Sequence, residues 1–145
     1  MDSGAGDQMQ AAGGNRSITN VPRLRMEQRQ CLSWSKVPLS PSNKVIPPPR
    51  SGAASVVVQR KLYLFGGYGG TAGGTGRLDD FYSFDFETRT WQEVEVLSTE
   101  KPGCRENNGV VISDSSDCIY LFGGYDGNSW LNDLWKVCFR YDANP

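Results

Sequence analysis

The sequence predicts an all-β fold built from repeated antiparallel sheets. The six letters YLFGGY occur twice, at Tyr63–Tyr68 and Tyr120–Tyr125, 57 positions apart. The apolar runs are short and rich in β-branched or aromatic residues, which is typical of strands. No segment has the 3.6-residue apolar spacing of a helix. These observations indicate two copies of one sheet unit.

The first copy contains four predicted strands. Ala53–Val58 and Lys61–Phe65 are separated by two residues and form a tight hairpin. Phe81–Phe86 alternates between two faces, as a strand does. A turn then leads to Trp91–Leu97, the fourth strand. The glycine pair that ends the second strand indicates a close approach of neighbouring atoms or a positive φ.

The second copy repeats three of these strands and departs from the fourth. Val110–Ile112, Ile119–Phe122 and Leu134–Phe139 occupy the positions of the first three strands. Where the fourth strand should place its tryptophan, the chain has Asn144. We therefore expect a complete sheet over residues 51–97 and an incomplete one over residues 108–139.

Two segments precede the first complete sheet. Residues 1–30 are rich in Gly, Ser, Gln and Arg without apolar periodicity, so we expect them to be disordered. The letters WSKV at Trp34–Val37 match WQEV at Trp91–Val94. Residues 31–38 are therefore predicted to be the last strand of a preceding sheet.

Composition argues against several classes of function. Lys plus Arg number 15 and Asp plus Glu 16, so no strong field attracts nucleic acid. No apolar run is long enough to span a membrane, and no secretory signal begins the chain, which predicts a cytoplasmic location. The chain has no histidine, which argues against catalysis, and we expect neither a metal nor a cofactor. Four cysteines are expected as buried free thiols: Cys31, Cys104, Cys118 and Cys138.

Sheets that are apolar on both faces must stack against sibling sheets, because a lone sheet leaves half of its apolar side chains in water. A β-propeller, in which about 4–8 such sheets close around an axis, meets this need. Two copies fall short of a ring. We therefore expect the sequence to be a fragment of a longer protein whose missing blades lie elsewhere, or to self-associate.

The repeat resembles the kelch motif. A double glycine ends the second strand, and a tryptophan opens the fourth, at Gly66-Gly67 and Trp91. Gly123-Gly124 matches the motif without its tryptophan. The resemblance covers Cys31 to about Phe139 and implies a partial kelch propeller in which these glycines and Trp91 have structural roles.

The resemblance also implies a function. Kelch propellers usually bind other proteins through loops at one end of the ring. The matching positions here, expected to bind a protein partner, are Arg50, Ser51, Tyr68, Arg77, Arg105, Glu106, Asn107, Tyr125, Asp126, Asn128 and Trp130. The arginines suit carboxylate pairing, and the aromatic residues suit binding hot spots. The alternative is that the arginines pair with neighbouring blades and that the tyrosines pack on the glycines.

Three functions follow from the resemblance. The leading one is a non-enzymatic protein-interaction module, with substrate recognition for a cullin-type ubiquitin ligase as its specific form. The second is binding to actin or another part of the cytoskeleton. The third, an enzyme on a propeller scaffold, is disfavoured because the related copper enzymes depend on histidine ligands.

Overall fold

The computed structural model describes residues 32–71, 74–115 and 117–139. Within these ranges every regular element is a β-strand, which confirms the all-β prediction. The predicted disordered segment, residues 1–30, lies outside them. The strands are β1 (Arg50–Ser51), β2 (Ala54–Val58), β3 (Lys61–Phe65), β4 (Tyr68–Thr71), β5 (Gly74–Arg77), β6 (Phe81–Asp85), β7 (Thr90–Glu93), β8 (Gly109–Ile112), β9 (Cys118–Tyr125) and β10 (Trp130–Cys138).

The first blade is an antiparallel sheet of four strands in the order β2-β3-β6-β7. Its strands fall where the sequence predicts them, and Trp91 of β7 lies opposite Phe84 of β6. The fourth strand ends at Glu93 rather than at Leu97. After a last backbone hydrogen bond from Val94 to Phe81, the chain leaves the sheet to reach the second blade.

The second blade is an antiparallel sheet in the order β8-β9-β10. Its three strands include the three predicted runs, and the described residues add no fourth strand to the sheet. β10 has a register shift between Leu131 and Leu134 where it pairs with β9. This irregularity separates the hairpin tip from the blade proper.

A third, smaller sheet was not expected from the sequence. It consists of β1, β4 and β5, and it forms because the glycine-rich stretch after Gly67 folds back as a hairpin. Tyr68 pairs with Arg77 in β5 and with Ser51 in β1. Glycine is depleted in strands, so this stretch has the composition of a loop although its backbone pairs as a sheet.

The hydrophobic core lies between the two blades. Val58, Phe65 and Phe81 of the first blade pack with Ile119 and Leu121 of the second. Burying one such side chain stabilises a fold by about 1.5–3 kcal/mol. Partly buried side chains from both sheets surround this cluster: Val56, Tyr63, Val94, Val110, Ile112, Trp135, Val137 and Phe139. The stacking that the sequence predicts is therefore the main source of apolar burial.

Residues 32–38 form no strand in the structure, although the sequence predicts one at residues 31–38. Trp34 is fully exposed, and Val37 is more than half exposed. A strand of this length needs the edge of a sheet for its backbone hydrogen bonds. The prediction assigns this segment to a sheet that precedes the first blade, and no such sheet is present among the described residues.

In the first blade, an arginine links three parts of the chain. The guanidinium group of Arg50 donates two hydrogen bonds to the carboxylate of Asp80, at 2.5 and 2.8 Å. It also donates to the backbone carbonyls of Pro48 and Gly66. One side chain thus connects the segment before β2, the turn after β3 and the start of β6.

The second blade repeats this arrangement. The guanidinium group of Arg105 donates to both carboxylate oxygens of Asp133, at 2.7 and 2.9 Å. It also donates to the carbonyls of Gly103 and Gly123. The two networks match atom for atom, so the Arg–Asp pair belongs to the repeat itself.

Arg50 and Arg105, which the sequence predicts as partner-binding residues, have their side chains held inside the blades by these pairs, and partner binding through them stays a prediction. Only 5% of the Arg50 side chain and 3% of the Arg105 side chain are exposed. Their hydrogen-bond donors are directed at aspartates and carbonyls within their own blades. The alternative drawn from the sequence, that the arginines pair with neighbouring blades, differs from the structure as well, because each arginine pairs with an aspartate of its own blade.

The double glycines allow the blades to approach closely. Gly66 and Gly67 both have positive φ, +66° and +99°. A Cβ atom on Gly66 would lie 2.6 Å from the carbonyl oxygen of Arg105. The amide of Gly67 donates to that same oxygen, and the amide of Arg105 donates to the carbonyl of Leu78. The backbone of the second blade is therefore inserted at the glycine turn of the first.

The cysteines differ from the prediction of buried free thiols. Cys118 and Cys138 lie opposite each other on β9 and β10 and form a disulfide. Cys104 is free but exposed, and Cys31 lies outside the described ranges. The two bonded residues are 20 positions apart without a C-x-x-C motif, so only the strand register brings them together.

Replacing Asp80 by alanine should destabilise the protein by about 3–5 kcal/mol, because the buried guanidinium group of Arg50 then loses its counter-charge. The neighbouring Asp79→Ala is the matched control. Asp79 forms an ion pair with Lys101 whose two side chains are 39% and 49% exposed, so its removal should cost less than about 1 kcal/mol. Urea unfolding followed by tryptophan fluorescence measures both values, and similar losses for the two variants would contradict the assigned role of Asp80.

The second pair predicts a pH dependence. Hydrogen bonds from Arg105 lower the pKa of Asp133 from 3.8 to about 2. Because the folded-state pKa lies below the unfolded value, the stabilisation is complete above the unfolded value and is lost as the pH falls towards about 2. The stability difference between the wild type and Asp133→Asn should therefore shrink between about pH 4 and about pH 2. Urea unfolding midpoints of both proteins across this pH range test the prediction. The control is Asp114→Asn, which replaces an exposed acid in the turn between β8 and β9. A stability difference that does not change with pH would contradict the low pKa of Asp133.

Candidate functional site

The candidate site lies at one end of the two blades, called the glycine end here. It is the end at which β3 and β9 reach their double glycines, Gly66-Gly67 and Gly123-Gly124. β6 begins there as well, just after Asp80. The sequence-predicted binding residues therefore all come from segments that meet at this end of the blades.

Arg77 is the centre of the site. Its guanidinium carbon lies 5.3 Å from the ring centroid of Tyr68 and 4.7 Å from that of Tyr125. Its Nη2 atom is 2.8 Å from the carboxylate of Glu106. Tyr68 and Arg77 belong to the first blade's hairpin, while Glu106 and Tyr125 belong to the second blade. Arg77 thus joins the two blades at their surface through cation–π contacts and one ion pair.

Trp130 extends this cluster outwards. Its ring centroid is 4.9 Å from that of Tyr125, and 80% of the residue is exposed. Tyr68 at the other side is 38% exposed. We name Tyr68, Arg77, Glu106, Tyr125 and Trp130 the Arg77 cluster. In this cluster the guanidinium group of Arg77 contacts the rings of Tyr68 and Tyr125, and the ring of Trp130 faces solvent.

The turn between Tyr125 and Trp130 is fixed by Asp126. A carboxylate oxygen of Asp126 accepts hydrogen bonds from the backbone amides of Asn128 and Ser129, both at 2.7 Å. The same two backbone bonds, Ser129 first, lower the pKa of the Asp126 carboxyl group. Gly127 has φ +105°, and a Cβ atom there would lie 2.6 Å from Nη1 of Arg77. The turn therefore packs directly on Arg77, and the side chain of Asn128 stays exposed.

The remaining predicted residues lie where the two blades join. The amide of Asn107 donates to the carbonyl of Gly52 at 2.7 Å. Ser51 is exposed and donates from its hydroxyl to the carbonyl of Tyr68. Glu106 pairs with Tyr125 through two backbone hydrogen bonds. Asn107 and Ser51 are exposed next to the Arg77 cluster in sequence, and their role in partner binding remains a prediction.

The structure brings five predicted residues together as the Arg77 cluster and removes two, Arg50 and Arg105, to the interior. One buried polar residue was not foreseen. Asn108 is 8% exposed, and among the described residues no hydrogen-bond partner is found for either atom of its amide. The first repeat has Ala53 at this position, packed on Gly67 as Asn108 packs on Gly124. In the sequence, Asn108 stands out only when the two repeats are aligned, because a polar side chain then occupies the position of an alanine.

The interior of the described fold provides little space for a small ligand. A cavity of about 90 Å³ lies between the blades, lined by side chains that include Val56, Phe81 and Leu121. Drug-sized ligands occupy pockets of about 300–1,000 Å³. In the described ranges no group of three or more acidic or cysteine side chains is arranged to hold a metal ion, and no helix could cross a bilayer. An open groove of about 750 Å³ also lies beside β7, lined by residues that include Lys61, Asp85 and Trp91. The choice of the Arg77 cluster as the candidate for recognition rests on its exposed aromatic residues, Tyr68 and Trp130.

Comparisons with known proteins place this geometry in a family. The model of the KLHDC2/KLHL20/DRC7 Kelch-repeats domain matches residues 5–143. The leucine-zipper-like transcriptional regulator 1 homolog of Drosophila melanogaster is 32% identical over 94 residues, covering 63% of this chain and 9% of that protein. Kelch domain-containing protein 3 of Bos taurus is 30% identical over 113 residues, covering 73% of this chain and 28% of that protein.

The chain thus spans less than a third of the length of these relatives. Among solved structures, the one titled "Structure of YjhT" aligns with a TM-score of 0.48 and 25% identity, over 55% of this chain and 22% of that one. Kelch-repeat domains generally bind other proteins and are generally not enzymes. On the family match and the two stacked antiparallel sheets, the chain belongs to the kelch-repeat family, as part of a β-propeller.

Proposed function

We propose that this chain is a non-enzymatic protein-interaction module whose partner binds at the glycine end, on the Arg77 cluster. The observation that carries the proposal is the position of Arg77 between Tyr68 and Tyr125, with Trp130 stacked beside it and exposed. Trp, Tyr and Arg are the residue types that dominate binding hot spots.

Rigidity supports this proposal. A binding surface loses less entropy on association when its side chains are already held in place. Arg77 is held by Glu106 and two rings, and the turn at Asp126 is held by its backbone hydrogen bonds. Trp130 can therefore offer a large apolar area from a preorganised hairpin.

The charges of the cluster suggest how a partner is selected. Arg77 is neutralised by Glu106, so the centre of the surface carries little net charge. Asp126 is exposed in the turn beside Trp130. A partner segment with an apolar or aromatic group for Trp130 and a basic group near Asp126 matches this surface better than an acidic segment does.

A finer role is also proposed: substrate recognition for a cullin-type ubiquitin ligase. It is supported by the family resemblance and by a rigid surface suited to a peptide or a domain face. Arg50 and Arg105 are not part of the proposed surface, since both pair with aspartates of their own blades.

Replacing Trp130 by alanine should reduce partner binding by at least about tenfold, the scale of a hot-spot residue. Quantitative affinity purification from cells expressing the 145-residue chain identifies bound proteins, and a binding assay with the purified partner measures the loss. Phe86→Ala is the control, because Phe86 is 47% exposed at the opposite end of β6. Equal binding by Trp130→Ala and the wild type, with both folded by circular dichroism, would disprove the location of the site.

The finer role predicts a change in the partner's lifetime. A partner that depends on Trp130 should have a longer half-life after loss of this protein and after inhibition of cullin activation, as measured by a cycloheximide chase. An unchanged half-life in both experiments would reject the ligase role while leaving the binding module intact.

A further inference from the structure

The second blade has an open edge. Its sheet ends at β10, and no described strand pairs with the outer side of β10. In the first blade the matching side of β6 is occupied by β7. β10 is nine residues long, and an exposed edge of this length is a template for another strand.

The chain also contains a strand-like segment without a sheet. Trp34-Ser35-Lys36-Val37 has the W-x-x-V pattern of Trp91–Val94, which comprises the last three residues of β7 and the residue after it. Residues 33–37 form no strand, and Trp34 is fully exposed. A side chain of this type buries about 150–250 Å² when it finds a partner. The outer edge of β10 therefore lacks the kind of strand that residues 33–37 resemble.

We propose that residues 33–37 of one copy of the chain form the fourth strand of the second blade in another copy. In the first blade, Trp91 lies opposite Phe84, and Glu93 lies opposite Tyr82. The repeat places Val137 and Trp135 of β10 at those two positions. In the assembled form Trp34 thus lies opposite Val137, and Lys36 lies opposite Trp135.

The exposed face of the second blade supports a second copy as the occupant. Val111, Phe122 and Leu134 are 62%, 54% and 66% exposed. On the first blade, Val57 is 53% exposed on the side of the sheet that does not contact the second blade. A donated strand brings the donor's first blade beside the acceptor's second blade, so these two apolar faces can stack as the blades within one chain do.

The connection is long enough. Residues 38–49 reach at most about 40 Å when extended, and stacked sheets lie about 10 Å apart. Within the chain, residues 94–104 make the equivalent connection between β7 and Arg105. Ser40 and Asn43 now hydrogen-bond to Arg89 and Trp91 at the edge of β7. Strand donation requires these two hydrogen bonds to open, because Ser40 lies only three residues after Val37, which leaves too little chain to reach another copy while Ser40 stays bonded.

This contact is head to tail, because the donating segment and the accepting edge are different surfaces. Such contacts generate closed rings when the rotation allows it. Propellers contain about 4–8 blades, so a ring of two-blade copies contains two to four chains. The expected mass is then about 32–64 kDa, from a chain of 16.0 kDa.

The test is the mass of the purified chain by light scattering after gel filtration. The wild type should have a mass of at least two chains, and Trp34→Ala should be monomeric with an unchanged circular dichroism spectrum. Leu97→Ala, which removes a side chain that is 85% exposed in the segment between the blades, should keep the wild-type mass. Ser35→Pro, which removes a backbone donor from the donated strand, should also be monomeric.

The register is tested by cross-linking with an amine-reactive reagent. Lys36 and Lys136 should be cross-linked in a mixture of ¹⁴N and ¹⁵N chains, and the linked peptides should include pairs of mixed isotope. A monomeric wild type, an assembly that persists in both Trp34→Ala and Ser35→Pro, or Lys36–Lys136 links found only between peptides of one isotope would each overturn the proposal.

Discussion

The arginine–aspartate pair in each blade is the interaction on which the rest of the structure depends. A buried guanidinium group is costly unless its donors are satisfied, and here two carboxylate oxygens and two carbonyls satisfy them. Because the carbonyls come from the chain before the first strand and from the glycine turn, the pair fixes three separate segments relative to one another. The pair also positions the second blade, because the backbone carbonyl of Arg105 accepts a hydrogen bond from Gly67 at the glycine turn of the first blade.

The same frame gives the candidate site its geometry. The hairpin that carries Tyr68 and Arg77 begins directly after Gly67, and the turn that carries Trp130 begins directly after Gly124. Neither hairpin contains an apolar core of its own. Each is fixed at its base by the glycine turn and across the blades by Arg77, whose contacts with two rings and a carboxylate are made at the surface. Recognition and blade packing therefore share one set of contacts.

The sequence was sufficient to predict the sheets, because double glycines and alternating apolar residues have few structural explanations. It was insufficient for features that depend on three-dimensional register. Arg50 and Arg105 have the composition of partner-binding residues, and only the fold shows that Asp80 and Asp133 receive them. The hairpin of β4 and β5 has the composition of a loop. Cys118 and Cys138 face each other because of strand pairing, which spacing along the chain does not reveal. Trp34 shows the reverse case, in which the pattern indicates a strand and no sheet in the described chain accepts it.

The two hairpins beyond the glycine turns differ in length, although they start from the same frame. The first forms four paired positions between β4 and β5, whereas the second pairs Tyr125 with Trp130 around a short turn. The arginine–aspartate pair lies below both and is unaffected by this difference. Insertions and deletions at these tips can thus accumulate over evolutionary time without changing the scaffold, so that one architecture can acquire new binding preferences by varying only the outermost residues of each repeat.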